Sequence, residues 1–328
     1  MIKKILVIQT ASIGDVILAT PVLEKLHACF PAATIDFLIK KGIEPLFTGH
    51  PYLHEILIWD KKNGKYRNFD LLMHRVWHSK YDLVVNLQRF FLTGMMTAFS
   101  RAGMTIGFDK NPLSFLFTKR IKHIIGSGLH ESGRNLSLLA SFPDDRLFPP
   151  RIYPTKQDFD HVSQWEKELY YTISPASLWY TKQYPENKWV ELITKIPAEK
   201  RIFLLGSSAD HDLCEYILSH SGHPGLTNLA GRLTLLESAA LMKGALMNFT
   251  NDSAPMHLAS AVNAPVTAIY CSTTPDFGFG PLSDDKAIVE IPEKLYCRPC
   301  GLHGRPACPE KHFRCAQDIP VQLLLRRL

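Results

Sequence analysis

Three short segments carry side chains able to move a proton or grip a phosphate. The first is Thr10-Ala11-Ser12-Ile13-Gly14-Asp15. Its aspartate stands where a helix starts, a position at which Asp is a favoured cap. The same carboxylate, facing a cleft, could take a proton from an acceptor hydroxyl. Gly14 permits a tight turn or a close backbone approach there. The second segment is Phe249 to Ala259, with the turn Asn251-Asp252-Ser253 and Pro255 just inside a helix, where proline is tolerated. A helix start offers unpaired N–H groups and positive potential, which suits a pyrophosphate. His257, about one turn in, could meet the same anion. The competing reading is simple capping by Asp252 or Ser253, with His257 on the surface. The third segment is the polar loop Ser174 to Trp189. Its Lys182 is either a point charge for phosphate or an ordinary solvated lysine.

Alternating strands and helices must hold these loops. Lys4–Ile8 reads as a buried strand and Val16–Phe30 as a helix, with Val16, Leu18, Ala19, Val22, Leu23 and Leu26 on its apolar face. Thr34–Ile39, Ile56–Trp59 and Leu83–Leu87 read as further strands. Phe142 to Pro154 holds four prolines in thirteen residues, so it reads as a linker. The pattern then restarts, with strands at Tyr171–Ser174, Arg201–Leu205, Leu246–Thr250 and Val266–Tyr270. Helices are expected over Asp210–His220 and around Ala239–Gly244. The expectation is an α/β protein of two units, 1–150 and 151–328, each a parallel sheet covered on both faces. Ligands of such sheets bind at the carboxyl ends of the strands, and the natural site is the cleft between two units.

The 328 residues are 46% hydrophobic and 21% charged, a globular balance, with a net charge of +6. That excess suits anionic partners such as nucleotides, phosphorylated sugars or a membrane surface. Nucleic acid is disfavoured, since no dense Lys/Arg run with interleaved aromatics is present. Met1-Ile2-Lys3-Lys4 leads into only four apolar positions before Gln9, which does not read as a signal peptide. With no apolar run of about 20 residues, the expectation is a cytoplasmic chain, peripheral to a membrane at most.

The three segments together resemble glycosyltransferase family 9, the bacterial lipopolysaccharide heptosyltransferases. Ile5 to Pro21 resembles the start of that family almost end to end. Asn251 to Ala259 is similar to its donor-binding segment, and Lys182 to Trp189 to its lysine loop. Tyr81 to Gln88, Ile106-Gly107-Phe108 and Asn228 to Gly231 are shorter echoes. The resemblance implies a GT-B fold of two Rossmann-like lobes, an acceptor lobe followed by a nucleotide-sugar lobe. It implies Asp15 as general base, with Lys182, Asp252, Ser253, Ala254 and His257 holding the donor. Ser12, Gly14, His130 and Arg134 would face the acceptor, although a solvated helix face is the simpler reading of the last two. The implied donor is ADP-heptose, the acceptor a lipid-linked core oligosaccharide at the inner membrane, and the reaction inverting, with no cofactor or catalytic metal. Ser253-Ala254 departs from the Thr-Gly common in the family. Another nucleotide sugar, or a non-catalytic nucleotide-binding homologue, are the alternatives.

Four of the seven cysteines, Cys297, Cys300, Cys308 and Cys315, cluster near the C-terminus among His303 and His312. A structural zinc, packed reduced thiols and disulfides are all open readings, none expected to act in sugar transfer. Gly126-Ser127-Gly128 lacks the third glycine of a dinucleotide fingerprint. Lys61, Lys62 and Lys65 read as a solvated loop.

Overall fold

The computed structural model describes residues 2–126, 128–144 and 146–328. Ser127 of the Gly126-Ser127-Gly128 turn and Asp145 of the proline-rich stretch lie outside the described residues. The chain divides into two compact units, Met1–Tyr153 and Pro154–Leu328.

In the first unit the strands are β1 (Lys4–Ile8), β2 (Thr34–Lys40), β3 (Leu53–Trp59), β4 (Leu83–Asn86), β5 (Met104–Phe108) and β6 (Lys119–Ile121). Its helices are α1 (Ile13–Ile17), α2 (Thr20–Cys29), α3 (Lys65–His78), α4 (Phe91–Ala98) and α5 (Glu131–Ser137). The second unit has β7 (Tyr170–Ser174), β8 (Arg201–Leu204), β9 (Leu226–Asn228), β10 (Met247–Asn251), β11 (Val266–Tyr270) and β12 (Lys286–Glu290). Its helices are α6 (Lys156–Val162), α7 (Glu186–Ile193), α8 (His211–Ser221), α9 (Leu235–Gly244), α10 (Ala254–Ala261), α11 (Arg314–Gln317) and α12 (Gln322–Leu325).

Both sheets are wholly parallel, in the orders β3-β2-β1-β4-β5-β6 and β12-β11-β10-β7-β8-β9. Read from its own first strand, each follows the doubly wound order 3-2-1-4-5-6, whose direction of winding reverses beside the first strand. Central strands read as unbroken apolar runs because both faces are covered: Ile5 to Ile8 have no exposed surface. The outer strands β6 and β12 are short and largely uncovered. They carry at most three consecutive apolar residues, and sequence reading misses them, along with β5 and β9.

The helix expected over Val16–Phe30 is two helices. Pro21 has no N–H for the carbonyl of Ile17, and the Thr20 hydroxyl donates to that carbonyl instead, at 2.7 Å. The chain thereby turns at Leu18–Ala19, so the short α1 carrying Asp15 is set apart from α2.

Candidate active site

In the first unit the winding reverses between β1 and β4. Asp15 follows β1 by seven residues, so it lies at this reversal. Ser12, rather than Asp15, caps α1. The Asp15 Oδ2 atom accepts from the Ser12 amide at 3.1 Å and from the Ser12 hydroxyl at 2.5 Å, which is the reciprocal capping box. Both bonds use Oδ2, and the half-buried side chain keeps its other oxygen outside the box. Capping and proton acceptance are therefore compatible roles for one carboxylate. Gly14, expected in a tight turn, is a buried residue of α1 itself.

Three groups steady this loop. The Gln88 amide donates to Gln9 Oε1, joining the ends of β1 and β4. Lys61 Nζ donates to the Thr10 carbonyl and hydroxyl, both at 2.8 Å, while lying over the Trp59 ring. Burial, followed by Lys40 and Lys65, lowers the Lys61 ammonium to about 8. The expected solvated loop is thus corrected at Lys61, whereas Lys62 and Lys65 are exposed. From α5, Asn135 donates to Leu18 O at 3.2 Å.

The solvated helix face expected at His130 and Arg134 is also corrected. His130 caps α5 through its ring nitrogen. Arg134 is 3% exposed and pairs with Glu131 at 2.6 Å. Burial pushes the Glu131 carboxyl up against the pull of Arg134, and Asp15 is close enough to add to that rise. A second carboxylate within electrostatic reach of Asp15 was not foreseen from the sequence. Its only signal was a Glu in the first turn of a helix, which is commonplace.

In the second unit the winding reverses between β7 and β10, and the lysine loop and the Asp252 turn follow these two strands. Asn251 ties them together, accepting from the Tyr184 amide at 2.9 Å and donating to Pro175 O at 2.7 Å. Lys182 Nζ lies 2.7 Å from Asp252 Oδ2, and the Thr273 hydroxyl donates to that oxygen at 2.6 Å. Lys182 is 15% exposed, so it is not a free surface lysine. Asp252 is taken up by this pair and does not cap α10. Ser253 occupies the cap position without a side-chain bond to the helix, and Ala254 opens the first turn. That helix start keeps the N–H groups and positive potential that favour an anion. His257 is buried rather than on the surface.

The cysteine-rich segment packs against these loops. The Arg298 guanidinium donates to Cys271 O and Thr273 O, both at 2.7 Å, and pairs with Glu290 at 2.5 Å. Arg305 N donates to the Thr181 hydroxyl at 2.8 Å, and Cys300 N to Ser272 O at 2.9 Å. Gly304 rests on the lysine stem, where a Cβ would come within 2.8 Å of Lys182 Cγ. The segment braces the loops that carry Lys182 and Thr273. Cys315 packs in the core of this unit, with Cys297 and Cys308 against it. Burial pushes the Cys315 thiol up to about 12 and also raises Cys300. Zinc needs thiolates gathered in a tetrahedron. Among the described residues, the only His/Cys/Asp/Glu trio with ligand atoms all within 4.8 Å is Asp36, His54 and Glu55. Those three already bond to one another, to Tyr81 or to Arg75. As they stand, the four cysteines fit packed thiols better than an ion.

Two surface clefts of about 420 Å³ each, one beside Glu24 and His27 and one beside Ile288 and Arg326, contain none of these groups. In each unit the candidate groups are therefore defined by their chemistry rather than by cavity size.

The family model described as glycosyltransferase family 9 (heptosyltransferase) matches residues 71–306, well over half of the chain. The chain belongs to glycosyltransferase family 9. It is accordingly a glycosyltransferase. Lipopolysaccharide heptosyltransferase 3 of Escherichia coli is 29% identical over 279 residues, covering 79% of this chain and 81% of that protein. Lipopolysaccharide heptosyltransferase 1 of Pseudomonas aeruginosa is 24% identical over 319 residues, covering 90% and 86%. Among solved structures, the E. coli ADP-heptose lps heptosyltransferase II superposes with a TM-score of 0.80 at 22% identity, over 99% of this chain and 97% of that one. The two doubly wound units are the lobes of the GT-B fold that family 9 shares. No helix among the described residues is long and apolar enough to cross a membrane.

Proposed function

We propose that this family 9 enzyme transfers heptose from ADP-heptose to a Kdo or heptose residue of the lipopolysaccharide inner core, inverting the anomeric carbon. The reading is carried by one observation: each unit places its family-like polar loop where its own sheet reverses winding. The base comes from the first unit and the phosphate grip from the second. Asp15 accepts the proton of the acceptor hydroxyl as that oxygen bonds to the anomeric carbon. The bond from that carbon to the diphosphate oxygen breaks, and ADP leaves with the electron pair. Lys182 and the first turn of α10, at Ser253, Ala254 and His257, take up the charge growing on the diphosphate, which favours the transition state over bound substrate. Asp252, a carboxylate, serves by orienting Lys182. Ser12 and Gly14 shape the acceptor side. His130 and Arg134 set its wall, Arg134 together with Glu131.

Purified protein is expected to release ADP from ADP-heptose only when an acceptor bearing Kdo or heptose is present, with the acceptor gaining one heptose by mass spectrometry. Asp15→Asn keeps an oxygen for the Ser12 cap, so it should fold as the parent does while turnover falls about 10²–10⁴-fold. Full activity in that variant would refute the base assignment. Preference for another nucleotide sugar in a panel would refute the donor.

A further inference from the structure

Each sheet ends in strands with one edge unpaired: β3 and β6 in the first unit, β12 and β9 in the second. An open edge is a row of N–H and C=O groups able to pair with another chain, and proteins blunt it with short strands, charges or bulges. β6 and β9 are three residues long, and β6 opens on Lys119 and Arg120. β3 slips its register between Ile35 and Asp36, which leaves His54 as an extra residue. β12 has neither device. Its five residues, Lys286-Ala287-Ile288-Val289-Glu290, pair with β11 in unbroken register, and no strand of the sheet lies on its other edge. Residues 287–292, with Leu323, Arg326 and Arg327, line an open cleft of about 420 Å³ along this strand. Ile288 is 42% exposed.

The order of side chains along β12 is complementary to itself. With a second copy set antiparallel and Ile288 opposite Ile288, Ala287 faces Val289, and Lys286 faces Glu290 at both ends. Successive side chains alternate between faces. Lys286, Ile288 and Glu290 therefore share the outer face, while Val289 points into the core. Opposite charges across a ladder stabilise it, and an isoleucine pair on the axis removes apolar surface from water. Moving the axis to Ala287 or Val289 sets a charge against Ile288 instead, so the charges also choose the register. Glu290 gives Oε2 to Arg298 and keeps Oε1 outside that pair.

We infer that two copies of this chain join edge to edge through β12, antiparallel about a two-fold axis at Ile288, so that the second unit's sheet continues into its twin. The occupant of the edge is a second copy because the strand supplies both members of each charge pair. This is the isologous contact of a cyclic dimer, in which one patch meets itself. It needs neither nucleotide nor sugar, so it stands or falls apart from the proposed transfer.

Sedimentation equilibrium of the full chain is expected to show a monomer–dimer equilibrium that shifts with concentration. Ile288→Lys sets two ammonium groups against each other on the axis and should abolish the dimer. Lys286→Glu sets carboxylates opposite Glu290 at both ends and should weaken the dimer about tenfold. Both positions are exposed, so thermal melts of the monomers should match wild type and show that the variants are folded. Ile288→Cys tests the register. Its thiol would lie directly opposite its twin, about 5 Å away between Cβ atoms, whereas two thiols from Lys286→Cys would lie about 14 Å apart. Under glutathione disulfide, Ile288→Cys should form a covalent dimer whose 288–288 peptide is found by mass spectrometry, and Lys286→Cys should not. Three results would overturn the inference: a wild-type chain that stays monomeric at the highest soluble concentration, a dimer that Ile288→Lys leaves intact, or cross-linking of Ile288→Cys no better than that of Lys286→Cys.

Discussion

Lys61 shows how a common residue acquires a particular role. Its sequence neighbours are lysines and a glycine-containing loop, the usual signs of solvation. Its ammonium nevertheless leaves water to hold the Thr10 carbonyl and hydroxyl, beneath the loop that presents Asp15. Desolvation penalises the charged form, so the folded chain holds this proton less tightly than the unfolded chain does. The burial therefore costs stability below pH 8, and the cost fades as pH rises from about 8 toward the ordinary lysine value of 10.5. Competitive acetylation followed by peptide mass spectrometry should show Lys61 titrating near 8, well below exposed Lys62 and Lys65. Titration alongside those two would place Lys61 in solvent. Lys182 is the parallel case in the second unit: the sequence supplies a lysine in a polar loop, and Asp252 supplies its direction.

Between strand ends and loops, the C-terminal segment does what a buried network does elsewhere: it fixes irregular backbone that no sheet or helix can satisfy. Arg298 is the centre of that bracing. One planar fork reaches two strand-end carbonyls at hydrogen-bonding length and the Glu290 carboxylate. Arg298→Met would strand those acceptors and leave Glu290 unpaired. It is expected to lower unfolding free energy by about 2–4 kcal/mol in urea melts, and to raise the KM for the nucleotide sugar more than it lowers kcat, because Thr273 and Asp252 lose their frame. Arg298→Lys should restore little, since an ammonium cannot span three acceptors in a plane. An unchanged KM in a folded Arg298→Met protein would confine the brace to stability. The sequence shows this segment only as Cys-rich punctuation. Its function emerges from where β11 ends.

Across the whole molecule, two imidazoles held away from water contribute to the behaviour in acid. His50 lies among the rings of Phe47, Tyr52 and Tyr153, and neither ring nitrogen has a hydrogen-bond partner. Burial lowers it to about 4, and His123 is likewise lowered to about 4 by burial and by Arg89 and Arg134. In the unfolded chain each takes its proton near 6.5, so the unfolded state binds more protons between about pH 6.5 and 4, and stability falls through that window on acidification. Each site accounts for at most about 3 kcal/mol. His50→Phe should flatten that part of the pH–stability curve in thermal melts, and an unchanged slope would mean that His50 charges freely in the fold. The amino-acid order by itself determined the alternation of elements, the apolar central strands, the proline-rich break and the three polar loops. These are written in windows of a few residues, where side-chain period, caps and prolines act locally. Only the tertiary structure decided that Glu131 lies within electrostatic reach of Asp15, that Thr273 and Asp252 aim Lys182, and that Arg298 holds them. Those juxtapositions depend on strand order and burial, which bring together residues from distant parts of the chain, and no local pattern encodes them.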